Sequence, residues 1–217
     1  MTTPAHPSAE QVLASIEQAG GEIQDSRTLS PVQMLPLNEQ ASRILQSSSD
    51  AQDKDDLQAE EAAHKAAAAW QIGLQGILLS LQSKEMINFR SIDAQPLFLT
   101  LDGRQTIRLG SPEYRLWSAL PETGEGRSQP DLESMLGKDT FKLAQSRAFR
   151  NKIVRRLPDG TFARAESTLD QQLGDETRSE LVELAKTGKL QGEGADKKIA
   201  ELKKRKMVGQ RKLLYFS

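Results

Sequence analysis

Residues 196–206, DKKIAELKKRK, form the strongest chemical feature of this 217-residue sequence. In a helix, Ile199 and Leu202 make a narrow apolar stripe, and Lys197 and Lys204 project from the opposite face about two turns apart. Such a helix can lay several cations along a row of phosphates, and each phosphate that it neutralises releases counterions. We therefore interpret the segment as a polyanion-binding helix, with a solvated basic helix as the alternative.

A second basic group lies upstream, over residues 147–156, and spans a predicted helix end and strand. For this group, phosphate binding and simple solubility are equally open. Neither group has the Asn, Gln and Arg spacing that reads particular bases, so both predict contacts to a nucleic-acid backbone. The predicted binding residues are Lys197, Lys198, Lys203, Lys204, Arg205, Lys206, Arg150, Arg155 and Arg156.

The formal charge of −1 hides an asymmetry along the chain. Residues 1–137 hold 10 Lys and Arg against 19 Asp and Glu, a net charge of −9, whereas residues 138–217 hold 19 against 11, a net charge of +8. A basic half favours a polyanionic partner such as nucleic acid, and ordinary variation between modules is the alternative.

Residue types exclude several classes of chemistry. Without cysteine there is no disulfide, thiolate metal site or cysteine nucleophile, and His6 and His64 are too few for a histidine-based metal centre. No phosphate-binding loop, dinucleotide fingerprint or nucleophile elbow is present, so we predict no catalytic residue and no metal site. The acidic residues within 53–61 are interpreted as a flexible linker rather than a cation site. No apolar run is long enough to span a bilayer and no secretory signal is found, so an intracellular location is expected.

The elements that must position these residues are mainly helical. Ser8 and Gln11 form a capping box, and an amphipathic pattern around Trp70 predicts a long helix. After this helix, the spacing of apolar residues changes from a period of 3.6 residues to a period of 2, which is typical of strands. The predicted elements are helices over 8–18, 38–46 and 57–82, a solvated linker over 47–56, and an antiparallel hairpin over 86–101 followed by a helix through Ile107.

A winged helix has this order of elements, in which helices are followed by a hairpin. The same order recurs more loosely after residue 110. Ser111 and Pro112 begin a second unit that ends in a hairpin, and Asp175 and Asp196 are predicted to cap the helices of a third. We therefore predict an α+β, mainly helical fold of tandem small winged-helix-like domains with short β-hairpins. The predicted domains are 1–110 with a polar insertion near 47–60, 111–166, and a basic third domain, 167–217.

Residues 191–217 closely resemble a segment in the α subunit of eukaryotic cytosolic phenylalanine–tRNA ligase, a class II aminoacyl-tRNA synthetase. In that family a charged helix runs into a Leu-Arg/Lys-Lys-Arg-Lys-Leu motif and then a strand with an aromatic pair. The matching residues are LKKRKM at 202–207, with Tyr215 and Phe216 at the aromatic pair.

Two further stretches carry the same resemblance. LTLDG at 99–103 and GSPE at 110–113 look like a Leu-Thr-x-Glu-Gly…Gly-Ser-x-Glu junction of the family, with Asp102 and Pro112 as departures. Residues 66–101 fit the helix and hairpin of the family's first winged-helix domain, while the insertion near 47–60 is not part of the usual pattern.

The resemblance implies an N-terminal region that binds the body of a phenylalanine-specific tRNA in the cytoplasm. A ligase β subunit would complete a heterotetramer of two α and two β subunits. The ATP-binding motifs of the family's catalytic core have no counterpart in these residues. ATP and Mg²⁺ are therefore implied for the parent enzyme only, and no cofactor and no catalysis are expected of this chain unless it is joined to such a core.

Two other functions stay open from the sequence. A stand-alone winged-helix DNA-binding regulator would prefer a B-form duplex to tRNA at matched salt. A protein-interaction module, docking through its acidic half, would bind no nucleic acid above background.

The basic segment yields a first prediction. Replacing Lys203, Lys204 and Arg205 by Ala is expected to weaken tRNA binding and flatten its salt dependence without unfolding the domain, because phosphate contacts release counterions. Binding titrations over a range of salt concentrations measure the slope, and an unchanged slope contradicts the assignment.

Overall fold

The computed structural model describes residues 6–32, 37–165 and 174–217. Within these ranges no helix is long and apolar enough to cross a membrane. The N-terminal elements are α1 (Ala9–Gln18), a 3₁₀ turn (Ser26–Leu29), α2 (Leu37–Gln46) and α3 (Asp50–Ser83). The capping box on α1 is confirmed, since the Ser8 hydroxyl accepts from the Gln11 N–H and the Gln11 side chain accepts from the Ser8 N–H.

The rest of the chain alternates short helices and strands. In chain order they are β1 (Ser91–Ala94), β2 (Leu97–Leu99), α4 (Leu101–Leu109), α5 (Pro112–Ser118), α6 (Gln129–Leu136), α7 (Lys138–Arg150), β3 (Val154–Arg156), β4 (Phe162–Arg164), α8 (Glu176–Thr187), α9 (Ala195–Lys204), β5 (Val208–Gln210) and β6 (Leu213–Phe216). The fold is α+β and mainly helical, as predicted.

The polar stretch 47–56 is not the predicted solvated linker. Helix α3 begins within it, capped by the Ser49 hydroxyl, and Asp53 is fully buried. Asp53 accepts from the Nε of Arg108 on α4 at 3.2 Å, so the carboxylate is neutralised by an arginine 55 residues away. The acidic residues therefore extend the long helix, because α4 supplies cations opposite them.

The same two helices share a second, deeper ion pair. Arg104 on α4 is fully buried, and its guanidinium lies 2.6 Å from a carboxylate oxygen of Glu60, whose side chain is 8% exposed. Arg104 and Arg108 are four residues apart on α4, and Asp53 and Glu60 are seven apart on α3, so both pairs lie along one helix contact. Charge pairing thus fixes α3 against α4.

The hairpin predicted for 86–101 is wrong. Its two strands do not pair with each other but with the end of the described chain: β1 pairs antiparallel with β6, and β2 with β5. Ser91 lies opposite Phe216 and Leu99 opposite Val208, which is one constant register. A two-residue period reveals a strand but not its partner, and here the partner lies more than 100 residues away.

We call this pairing of residues 90–100 with 207–217 the long ladder. Backbone bonds continue it at both ends, from Arg90 to Ser217 (2.8 and 3.0 Å) and from the Thr100 N–H to the Met207 carbonyl (3.1 Å). Because α4 follows one strand and α9 precedes the other, the ladder brings these helices together. Gly103 lets α4 approach the turn after α9, since a Cβ there would collide with the Met207 carbonyl.

Two hydrophobic clusters are built from segments on both sides of residues 111–166. One joins Ile44, Leu99 and Ile107 to side chains of α8, α9 and β5, including Leu181, Leu184, Leu202 and Val208. The other packs α1 against the second half of α3 and closes on Phe216. The predicted domain boundaries stay predictions; in the described residues, the segments before 110 and after 174 both contribute to each of these clusters.

Residues 111–165 have a core of their own. Leu116 and Trp117 of α5, Leu132 of α6, Phe141 of α7 and Phe162 of β4 are its buried members. Three helices followed by the β3–β4 hairpin are the order of a winged helix. The hairpin predicted at 153–163 is confirmed, with the Leu157 and Gly160 backbones bonded across its turn.

The last helix begins differently from the prediction. Asp175 caps α8, as expected, by accepting from the Arg178 N–H. Asp196 does not cap α9, because the helix already begins at Ala195 and its N-cap residue is Gly194 at φ +79°.

The buried ion pair predicts a strong stability effect. Arg104→Met leaves Glu60 as a buried charge without its partner and is expected to lower the free energy of unfolding by about 3–5 kcal/mol. Chemical denaturation measures the change. Lys65→Ala, which breaks an exposed pair with Glu61, is the matched control and should change it by less than about 0.5 kcal/mol. Equal effects of the two variants would contradict the role of the buried pair.

His64 on α3 predicts a pH dependence. Burial lowers the pKa of its imidazole below the ordinary value of about 6.5, and the positive charge of Arg211 lowers this pKa further, while Glu61 acts in the opposite sense. The unfolded chain therefore binds a proton more readily, so this contribution to stability is complete above pH 6.5 and is lost as pH falls below it. Between pH 7.5 and 5.5 the Tm of the wild type should fall more than that of His64→Gln, because only the wild type loses this contribution. Parallel Tm profiles would show that His64 is not responsible.

Candidate nucleic-acid interface

Helix α9 presents its charges as the sequence predicts. Leu202 is 2% exposed and Ile199 packs against the same core, whereas Lys197 and Lys204 are exposed. The apolar stripe seats the helix on α8 and the long ladder. The opposite face is therefore available to a partner.

Glu201 lies between the two exposed lysines on that face, four residues after Lys197 and three before Lys204. It forms an ion pair with Arg147 of α7. The hydrogen bond from Arg147 lowers the pKa of the Glu201 carboxyl, and the charges of Arg147, Arg205 and Arg150 lower it further. The two basic groups found in the sequence thus meet at Glu201.

The ion pair of Glu201 with Arg147 is therefore surrounded by three cations, Lys197, Lys204 and Arg150. All three are exposed, and we call them the α7–α9 surface. In the described part of the chain they take part in no ion pair. Three solvated cations next to one another can contact successive phosphates, because each keeps its full charge for the partner.

Arg205, in contrast, is held inside the protein. Its guanidinium binds both carboxylate oxygens of Glu113 at 3.0 and 2.8 Å and donates to the Thr177 hydroxyl at 3.0 Å. Glu113 belongs to α5 and Thr177 to α8, so Arg205 joins residues 111–165, which we call the inner unit, to the helix that follows them. The triple variant at Lys203, Lys204 and Arg205 would lose these contacts, and the expectation that it stays folded remains a prediction.

The other predicted residues lie in different settings. Lys198 is half exposed and lies 2.8 Å from Glu180 of α8, whose hydrogen bond raises the pKa of the Lys198 ammonium. Lys203 is half-buried, and Lys206 is exposed in the turn after α9 with φ +58°.

Arg155 and Arg156 lie on β3, within the hairpin that corresponds to the wing. Arg156 is exposed, donates from Nε to the Gly160 carbonyl at 3.2 Å, and lies over the Phe162 ring. Its contacts are therefore with its own hairpin, whereas Arg150 lies at the junction with α9.

A solvent-open cleft of about 670 Å³ lies between α4, α5, α7 and the turn after α9. Arg150 and Arg205 line it, together with two cations that the sequence analysis did not select, Arg115 and Lys142. Lys142 could have been found, because Lys142, Ser146 and Arg150 recur every four residues on one face of α7. Arg115 carries no comparable signal.

In residues 6–32, 37–165 and 174–217 no group of three or more Asp, Glu or His side chains converges to hold a metal ion. The acidic side chains with the deepest burial, Asp53 and Glu113, form ion pairs with Arg108 and Arg205.

The contacts of Arg205 predict that it contributes more to the stability of the fold than its neighbour Lys204 does. Arg205→Ala leaves Glu113, which is 5% exposed, with Arg147 as its charged partner at the longer distance of 3.9 Å, and should lower the free energy of unfolding by about 2 kcal/mol. Lys204→Ala, one residue away and exposed, should change it by less than about 0.5 kcal/mol. Thermal or chemical denaturation compares them; equal stability of the two variants would mean that the Glu113 contact contributes nothing.

Comparison with known proteins identifies similarity in two ways. Residues 111–166 match the family model described as PheRS DNA binding domain 3. The chain is 31% identical over 144 residues to the phenylalanine–tRNA ligase alpha subunit of Saccharomyces cerevisiae, covering 64% of this chain and 28% of that subunit.

Two further relatives give the same result. The Schizosaccharomyces pombe phenylalanine–tRNA ligase alpha subunit is 29% identical over 143 residues, covering 66% of this chain and 27% of the subunit. The probable alpha subunit of Encephalitozoon cuniculi is 29% identical over 143 residues, with 66% and 26% covered. The matched segments span about a quarter of each relative's length, and the resemblance to the N-terminal region of these subunits is confirmed.

Proposed function

We propose that this chain, which resembles the N-terminal region of phenylalanine–tRNA ligase alpha subunits, binds tRNA through the α7–α9 surface. One observation carries the proposal: the ion pair of Glu201 with Arg147 brings Lys197, Lys204 and Arg150 together from segments about 50 residues apart. This surface joins a helix of the unit that matches the model described as PheRS DNA binding domain 3 to the most basic helix of the chain.

The chemistry of the surface suits the backbone of a folded RNA. Lysine ammonium groups contact phosphates as point charges and carry no base specificity. The major groove of A-form RNA is too deep and narrow for side chains to read, so a tRNA body is recognised by its phosphates, its hydroxyls and its shape. Contacts of this kind hold a tRNA in one orientation, which can favour reaction at a distant end of the molecule.

We further propose that the chain serves phenylalanyl-tRNA formation as part of an α subunit, in the cytoplasm. In this proposal a ligase β subunit completes a heterotetramer of two α and two β subunits. A class II catalytic core would bind ATP and Mg²⁺ and perform the chemistry. The residues described here would position the tRNA and not react with it. These assignments rest on the relatives alone.

The test is the salt dependence of tRNA binding. Lys197→Ala combined with Lys204→Ala should weaken binding of a phenylalanine-specific tRNA transcript and reduce the slope of log Kd against log salt by about two units, one for each phosphate contact. The matched control, Lys54→Ala combined with Lys65→Ala, removes the same charge from exposed positions of α3 and should leave the slope unchanged. Fluorescence anisotropy of labelled tRNA measures both.

Three outcomes contradict the proposal. Equal slopes for the two double variants would mean that binding depends on net charge and not on this surface. Tighter binding to a B-form DNA duplex than to tRNA at matched salt would favour the DNA-binding regulator. The absence of binding to either would favour a protein-interaction module.

A further inference from the structure

We propose that the cleft between α4, α5, α7 and the turn after α9 holds an unpaired nucleotide of the bound RNA. This inference rests on the proposed RNA-binding function and adds a second kind of contact to it. The two lysines of the α7–α9 surface would hold the phosphates of a duplex, whereas the cleft, which shares Arg150 with that surface, would take a single base with its flanking phosphate.

The size of the cleft favours a single strand. Its volume of about 670 Å³ falls within the range of about 300–1,000 Å³ found for sites that hold small organic ligands. A nucleotide can enter such a space, and a double helix cannot. Unpaired bases of RNA loops and ends are also the parts of an RNA that proteins most often bind in pockets.

The charge of the cleft favours a phosphate, because five cations line it against two carboxylates, Asp102 and Asp139. Three of its cations, Arg115, Lys142 and Arg150, take part in no ion pair with any residue that the structure describes. Two other cations, Arg147 and Arg205, form ion pairs with Glu201 and Glu113, which hold their guanidinium groups in place at the side of the cleft. The unpaired cations can therefore turn toward a phosphate without breaking an internal contact.

The cleft also offers an apolar contact for a base. Leu143 on α7 is 68% exposed, between the cations of the same helix, and Pro112 and Met207 line the same space. An exposed leucine among cations gains by covering the face of a base, and the planar guanidinium of Arg115 or Arg150 can stack on one.

Leu143 gives the sharpest test because its replacement leaves the charge of the cleft unchanged. Leu143→Ser should weaken binding of a short fluorescent oligouridylate about fivefold or more, with an unchanged salt slope, since it removes a base contact and no cation. Lys142→Ala should reduce that slope by about one. Leu79→Ser, at another exposed leucine, on α3 and 51% exposed, is the matched control and should bind as the wild type does.

A second probe separates a nucleotide site from a general anion site. A short blunt RNA duplex, which has no unpaired base, should bind the wild type and Leu143→Ser with equal affinity. An acidic peptide of the same net charge should compete poorly with the oligouridylate. The proposal is overturned by unchanged oligouridylate affinity in Leu143→Ser, by equal competition from the peptide, or by no oligouridylate binding at all.

Failure of this inference and failure of the proposed function give different results. If tRNA still binds with a salt slope that depends on Lys197 and Lys204 while Leu143→Ser changes nothing, only the cleft assignment fails. If neither tRNA nor the oligouridylate binds the wild-type chain, both fail together.

Discussion

The long ladder between residues 90–100 and 207–217 is the constraint on which the other contacts depend. It fixes the end of α9 beside the start of α4, because these helices adjoin opposite strands of the same ladder. The inner unit begins in the chain after α4, and α8 follows it. Arg205 then reaches Glu113 across this junction. Without the ladder, nothing in the local sequence would place the last basic helix next to α7.

Internal charge pairing explains why a nearly neutral chain can present a basic surface. Asp53 and Glu60 are matched inside by Arg108 and Arg104, and Glu113 by Arg205. Pairs of this kind add little net stability. A substitution at one partner is nevertheless strongly destabilising, because it leaves the other as an unpaired buried charge. The lysines of α9 and the cations of α7 that lie outside these pairs keep their charge in solvent and set the chemistry of the surface.

The sequence predicts local features well and distant partners poorly. The Ser8 capping box, the amphipathic α9 and the turn of the β3–β4 hairpin depend on residues a few positions apart, and the structure has them. The strand partners of 91–99 and the arginines opposite Asp53 and Glu60 lie 40 to more than 100 residues away. From the sequence, Arg205 cannot be distinguished from the neighbouring exposed lysines, because its internal partner, Glu113, lies 92 residues earlier in the chain.

Hydrogen–deuterium exchange of the full chain, with and without tRNA, tests the central claim most directly, because it locates the contact without altering any residue. The account predicts slower exchange on tRNA binding in α7, over residues 138–150, and around the end of α9, over residues 195–206, with α3 unchanged. Protection confined to α3 or to the acidic N-terminal segments, with α7 and α9 unaffected, would contradict it.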